Sequence, residues 1–141
     1  MNSTENLSEY EAIVVLAKAW NRLDPGKLID LMANDVHYAS QRVLEELTTR
    51  ETVSAFLRQR MRLTAEDLIT KPNVRVFAEL GKTDGAEECN CVVIAQGTPE
   101  NTVTIVFLKV EGNRIKRIDL CAPQFVQVIR SGVYPGCGGL G

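Results

Sequence analysis

Residues 8–62 decide the fold: SEYEAIVVLAKAWNRLDPGKLIDLMANDVHYASQRVLEELTTRETVSAFLRQRMR. Ser8-Glu9-Tyr10-Glu11 has the form of a capping box, in which Ser8 accepts from the Glu11 amide and Glu11 reaches back. Leu7 and Ala12 stand where a hydrophobic staple would sit. Ile13, Leu16, Ala17 and Trp20 follow at helical spacing and give a first helix one buried stripe. Asp24-Pro25 opens a second helix, because the N–H that proline lacks would be unpaired in a first turn anyway. Leu28, Leu31 and Met32 form its buried side, and Asn34-Asp35 ends it. Val36 to Gln41 alternates as a strand. Arg42 to Leu47 reads as a loop. Thr48-Thr49-Arg50-Glu51 repeats the capping-box form, and Val53, Phe56, Leu57 and Met61 define a third helix ending near Leu63. Thr64 to Lys71 fits a further helical turn before Pro72 or an irregular connection.

Strand-like segments follow at Asn73–Leu80, Glu88–Gln96, Thr102–Glu111 and Arg114–Ala122, with Gly112-Asn113 as a hairpin turn. Phe125 to Arg130 reads as an added edge strand. Helices first and a sheet afterwards predict one α+β domain over residues 1–130. Residues 131–141 carry five glycines and read as a loose tail.

Thr102 to Val110 is apolar on both faces, with Val103, Ile105 and Phe107 on one and Val106, Leu108 and Val110 on the other. Helices cover only one face of a sheet. The other fits either tolerant packing of a central strand or a sheet-to-sheet homodimer, and the expectation is the homodimer.

The chain has 141 residues, 45% hydrophobic and 24% charged, which suits one domain with an ordinary core. A net charge of −2 gives no broad field toward nucleic acid or anionic membrane, so neither is an expected partner. The polar start lacks the regions of a secretory signal, and no run of about 18 apolar residues occurs. The expected compartment is the cytoplasm, with the four cysteines as thiols. Cys89-x-Cys91 lacks the spacing and extra ligands of a metal or redox site. Buried inert thiols, no metal and no cofactor are expected.

The order helix, helix, strand, helix and curved sheet resembles the nuclear-transport-factor-2-like superfamily, and within it the SnoaL-like and ketosteroid-isomerase-like small bacterial domains. The likeness is carried by Trp20, Leu23-Asp24, Ala33-Asn34-Asp35-Val36-His37-Tyr38, Leu47 to Phe56, and the hairpin Val110-Glu111-Gly112-Asn113-Arg114-Ile115. It spans roughly residues 7 to 130. It implies a cone-shaped, curved, mixed or antiparallel sheet whose concave face carries the three helices around one deep, mostly apolar pocket, the cystatin-like architecture. It does not decide among enzyme, ligand binder and association module.

Ketosteroid isomerases place a carboxylate base on the first strand and a tyrosine and a protonated carboxyl as donors. On this chain those positions fall at Ser40, near Leu16 and near Ile105, which argues against that mechanism. Tyr38-x-Ser40 resembles the water-holding pair of epoxide hydrolases of the same fold, but the clustered Arg and Asp they need are missing from Glu88–Gln96. Arg117-Ile118-Asp119 is the nearest pattern, and alternation turns Asp119 away from the core, as it turns His37. Tyr38, Asp119 and His37 are therefore the candidate acid–base groups. Tyr38 and Ser40 can offer hydroxyls into an apolar cavity, or Tyr38 can be a core aromatic. Leu16, Trp20, Met61, Ile105 and Phe107 are the expected apolar wall. The leading expectation is a homodimeric domain that binds a small, largely apolar molecule. Its rivals are a SnoaL-like cyclase, dehydratase, isomerase or epoxide hydrolase, and a protein association module.

Overall fold

A computed structural model of the chain describes residues 7–41, 43–71, 75–83, 89–97, 102–123 and 127–136. Its helices are α1 (Glu9–Arg22), α2 (Gly26–Leu31) and α3 (Arg50–Thr70). Its strands are β1 (Met32–Ser40), β2 (Val43–Thr48), β3 (Arg75–Thr83), β4 (Asn90–Gly97), β5 (Thr102–Glu111), β6 (Arg114–Cys121) and β7 (Val128–Arg130). They form one curved sheet in the order β2-β1-β6-β5-β4-β3-β7. The β1–β6 pair is parallel and the other pairs are antiparallel. The helices lie on one face. Ile13 and Leu16 of α1 and Leu57 and Met61 of α3 meet Val92, Val106 and Ile118 of the sheet, all at most 2% exposed.

Local chemistry accounts for the element ends. The capping box on α1 is complete: Glu11 N donates to Ser8 Oγ at 3.0 Å, and Ser8 N to Glu11 Oε1 at 2.9 Å. Those bonds hold the Glu11 carboxyl below its ordinary range. Leu23 closes α1 in the left-handed region at φ 54°. Pro25 is the residue before α2, and Asp24 Oδ1 accepts from Gly26 N at 3.1 Å. The Gly112-Asn113 turn has φ of 59° and 65°, the pair of left-handed residues that a two-residue hairpin requires.

Four local expectations are corrected. The second helix stops at Leu31, and Asn34-Asp35 lies inside β1, because pairing with β6 begins at Met32↔Ile115. The loop expected over Arg42–Leu47 is strand from Val43 on, with Leu47 opposite Tyr38, and Arg42 lies outside the described residues. The third helix runs on to Thr70. Its cap is Thr49 rather than Thr48, accepting from Thr52 N at 3.2 Å, so Glu51 falls one place short of closing a box.

The glycine-rich segment also departs from a loose tail over residues 131–136. It continues β7 along the edge of β3, where Ser131 N donates to Leu80 O and Leu80 N to Val133 O. Asn21 of α1 then completes the edge like a strand residue. Its Nδ2 donates to Ala78 O at 2.8 Å, its Oδ1 accepts from Ala78 N at 2.7 Å, and its Nδ2 also reaches Pro135 O. An open row of edge donors and acceptors invites pairing with other chains, and this segment covers it. Gly81 permits the close approach, since a Cβ there would stand 2.9 Å from Val128 Cγ1. Phe125 and Cys137 lie outside the described residues.

Candidate functional site

Helices and sheet enclose a cavity of about 460 Å³. α1 contributes Leu16 and Trp20, α2 Leu28, and α3 Phe56, Leu57 and Arg60. The sheet contributes Tyr38 and Ser40 of β1, Leu47 of β2, Ile94 and Gln96 of β4, Thr104 and Val106 of β5, and Ile118 and Leu120 of β6. The β1 pair reaches the cavity because alternation puts every second residue inward, with Val36, Tyr38 and Ser40 on that face. The Tyr38 ring leans on Phe56 at a centroid distance of 5.3 Å and 57° between planes, so the strand and the helix position each other.

Leu16, Trp20, Tyr38 and Ser40 thus line the cavity. Met61, Ile105 and Phe107 do not. Met61 is packed within the core. Ile105 and Phe107 lie on the opposite face of β5, and Thr104 and Val106 take the inward positions. The reason is a bulge. The turn pairs Val110 with Ile115, but beyond Lys109 the register slips by one residue, so Leu108 rather than Phe107 stands opposite Ile118. One extra residue exchanges the faces of everything after it. Arg60, Gln96 and Thr104 were not singled out from the sequence. Arg60 stands four residues after Phe56, and that spacing alone sets both on one side of α3.

His37 and Asp119 are on the outer face and join one charged network there. His37 Nδ1 lies 2.7 Å from Glu46 Oε2. Arg117 donates from Nη2 to Glu46 Oε1 at 2.9 Å and from Nε to both Asp119 carboxylate oxygens at 3.0 Å. The bond to His37 holds the Glu46 carboxyl below its ordinary range. The network's side chains are 36–42% exposed, so each pair contributes little to stability.

Tyr38 is the one earlier acid–base candidate in the cavity. Burial pushes its phenol up from 10.0 to about 12, against the opposing influence of the Arg60 charge. At neutral pH it is a hydrogen-bond donor and acceptor, not a base. Among the described residues, no carboxylate or imidazole lines the cavity. The described cysteines are free thiols outside it. Cys91 is buried, and burial pushes its thiol to about 12. Cys89 is exposed and Cys121 half-buried, which corrects the expectation of uniformly buried thiols. Among the described residues, no cluster of three His, Cys, Asp or Glu could hold a metal ion, and no helix is long and apolar enough to cross a membrane.

This arrangement of three helices on a curved sheet around a cavity is the nuclear-transport-factor-2-like fold, of cystatin-like architecture. The chain is similar to an NTF2-like protein of unknown function from Cytophaga hutchinsonii, with a TM-score of 0.57 at 6% identity, covering 86% of this chain and 96% of that one. A SnoaL-like protein of unknown function from Burkholderia thailandensis matches with a TM-score of 0.53 at 12% identity, covering 91% and 100%. A de novo designed protein with a curved β-sheet gives 0.58 at 20% identity, covering 84% and 91%. Likeness at these identities concerns the fold. No protein-family model matches the chain, and no curated protein does.

Proposed function

We propose that this domain binds a small, largely apolar molecule in the cavity and acts as a homodimer in the cytoplasm. The observation that carries the reading is the cavity's makeup. Of the fifteen described residues that line it, ten are aliphatic or aromatic hydrocarbon or indole, and the rest are Tyr38, Ser40, Gln96, Thr104 and Arg60. Apolar walls with a few placed polar groups are the usual composition of a small-molecule site. The distance of His37 and Asp119 from this face weakens the enzyme reading, since both acid–base candidates other than Tyr38 belong to the outer network.

A thermal-shift panel of lactones, steroids and terpenoids tests the reading. A ligand that binds only the native chain raises its stability by about 2.7 kcal/mol at a hundred times its Kd. Leu120→Trp, which places an indole in the cavity, should abolish the shift. A native chain that no member stabilises overturns the proposal.

The homodimer rests on the outer face of β5. Ile105 is already covered within the chain, but Val103 and Phe107 are only half-buried. Phe107 stands opposite Asp119, so a partially bared aromatic borders a self-complementary set of charges. Such a patch suits an isologous contact. Sedimentation equilibrium at micromolar concentration should give twice the chain mass, and Phe107→Glu should give the monomer. A native monomer at that concentration defeats this part of the reading.

A further inference from the structure

Among the described residues, one charged side chain lines the cavity, and its neighbours match it. Arg60 is exposed on α3 at the cavity, and the ion pairs among the described residues are all made by other groups. Across from it, the Tyr38 hydroxyl belongs to a residue only 8% exposed and makes no hydrogen bond to any described residue. Among the described residues no buried side-chain polar atom lacks a partner, so this hydroxyl is open to the cavity, where a ligand oxygen would accept from it. Gln96 and Thr104, on the adjoining strands, likewise make no side-chain hydrogen bond to a described residue. The described polar lining groups therefore comprise a cation with donors only, a phenol, the two hydroxyls of Ser40 and Thr104 and an amide, with no anion among them. A ligand ammonium would meet a like charge here and, among the described residues, no anion to balance it. A planar guanidinium matches a carboxylate with two parallel bonds.

We infer that the ligand is an apolar molecule bearing a carboxylate, with its hydrocarbon body in the cavity, its carboxylate on Arg60 and the Tyr38 hydroxyl donating beside it. This rests on the small-molecule reading above and narrows it to one chemical class.

The test uses matched acid and amide probes on the full chain: 1-naphthaleneacetate with 1-naphthaleneacetamide, and decanoate with decanamide. Calorimetry at pH 7.5 should show each acid binding about tenfold tighter than its amide, the scale of one hydrogen bond to a charged group. Arg60→Gln should bring each pair within about twofold while leaving the amide's Kd in place. Because Arg60 is exposed and makes no ion pair with a described residue, that variant should keep the native melting curve, which circular dichroism checks. Tyr38→Phe should weaken the acid several-fold more than the amide. If acid and amide bind the native chain equally, or if Arg60→Gln leaves a preference intact, the carboxylate assignment is wrong and the apolar pocket stands. If none of the four probes binds at millimolar concentration, both the assignment and the pocket reading fall.

Discussion

Arg130→Met should lower the stability of the chain by about 3 kcal/mol, and its thermal midpoint by roughly 10 °C. The cause is Glu79, a carboxylate only 3% exposed on the outer side of β3. Three donors from the C-terminal segment converge on it: Arg130 Nε at 2.6 Å, Gly132 N at 2.6 Å and the Tyr134 hydroxyl at 3.3 Å. Removing the arginine leaves a buried charge with two neutral partners, and an uncompensated buried charge is what makes such a deletion expensive. Glu79→Gln should cost less, because the Arg130 side chain is 39% exposed and can turn to water. The double variant should lose less than the sum of the two. Urea melts give the three numbers. The loss should also be local, since Leu80 N bonds Val133 O within the same latch. Its amide should exchange faster in Arg130→Met than amides of β5 do. A change below about 1 kcal/mol would mean that β-pairing alone holds the segment on β3.

That latch was not legible in the sequence, and the contrast with what was legible is physical. The α1 capping box and the Gly112-Asn113 turn depend on residues three apart or adjacent, so their chemistry is written locally. The inward set Leu16, Trp20, Tyr38 and Ser40 follows from periodicity within single elements. β2 was hidden because Glu45-Glu46 breaks its apolar alternation, although Leu47 still turns inward. On β5 no alternation existed to read, since both faces are apolar. Its parity could come only from β6, where Ile118 and Leu120 contrast with Arg117 and Asp119, and the bulge beyond Lys109 intercepts that count. Arg60 is one of several charged residues on an exposed helix flank, and nothing in Arg58-Gln59-Arg60-Met61-Arg62 marks which one meets the cavity. Glu79 and Arg130 lie 51 positions apart, so only the fold brings them together.

Alkaline titration should expose the state of Tyr38, the residue on which the cavity's chemistry turns. Its phenol is pushed from 10.0 to about 12 in the native chain, mainly by burial. Below pH 10 native and unfolded chains both keep this proton, so it has no effect on the balance. Between pH 10 and 12 the unfolded chain releases it and the native chain holds it. The unfolded state then binds fewer protons, and stability falls as pH rises. At 1.36 kcal/mol per pH unit, the full loss is about 2–3 kcal/mol. Cys91 acts in the same direction from about pH 9, its thiol also pushed to about 12 chiefly by burial, so the native chain alone cannot isolate the phenol. Tyr38→Phe does isolate it. That variant removes a hydroxyl with no described partner and keeps the ring against Phe56, so near neutrality it should melt within about 1 kcal/mol of the native chain. Urea melts from pH 9 to 12 should then diverge, with the variant gaining on the native chain by 2–3 kcal/mol across the upper two units. Parallel curves would mean that the phenol ionises at its ordinary pH and is open to water. A divergence of the expected sign would mean that the cavity keeps the phenol protonated beside Arg60, as a donor that a ligand oxygen can take up.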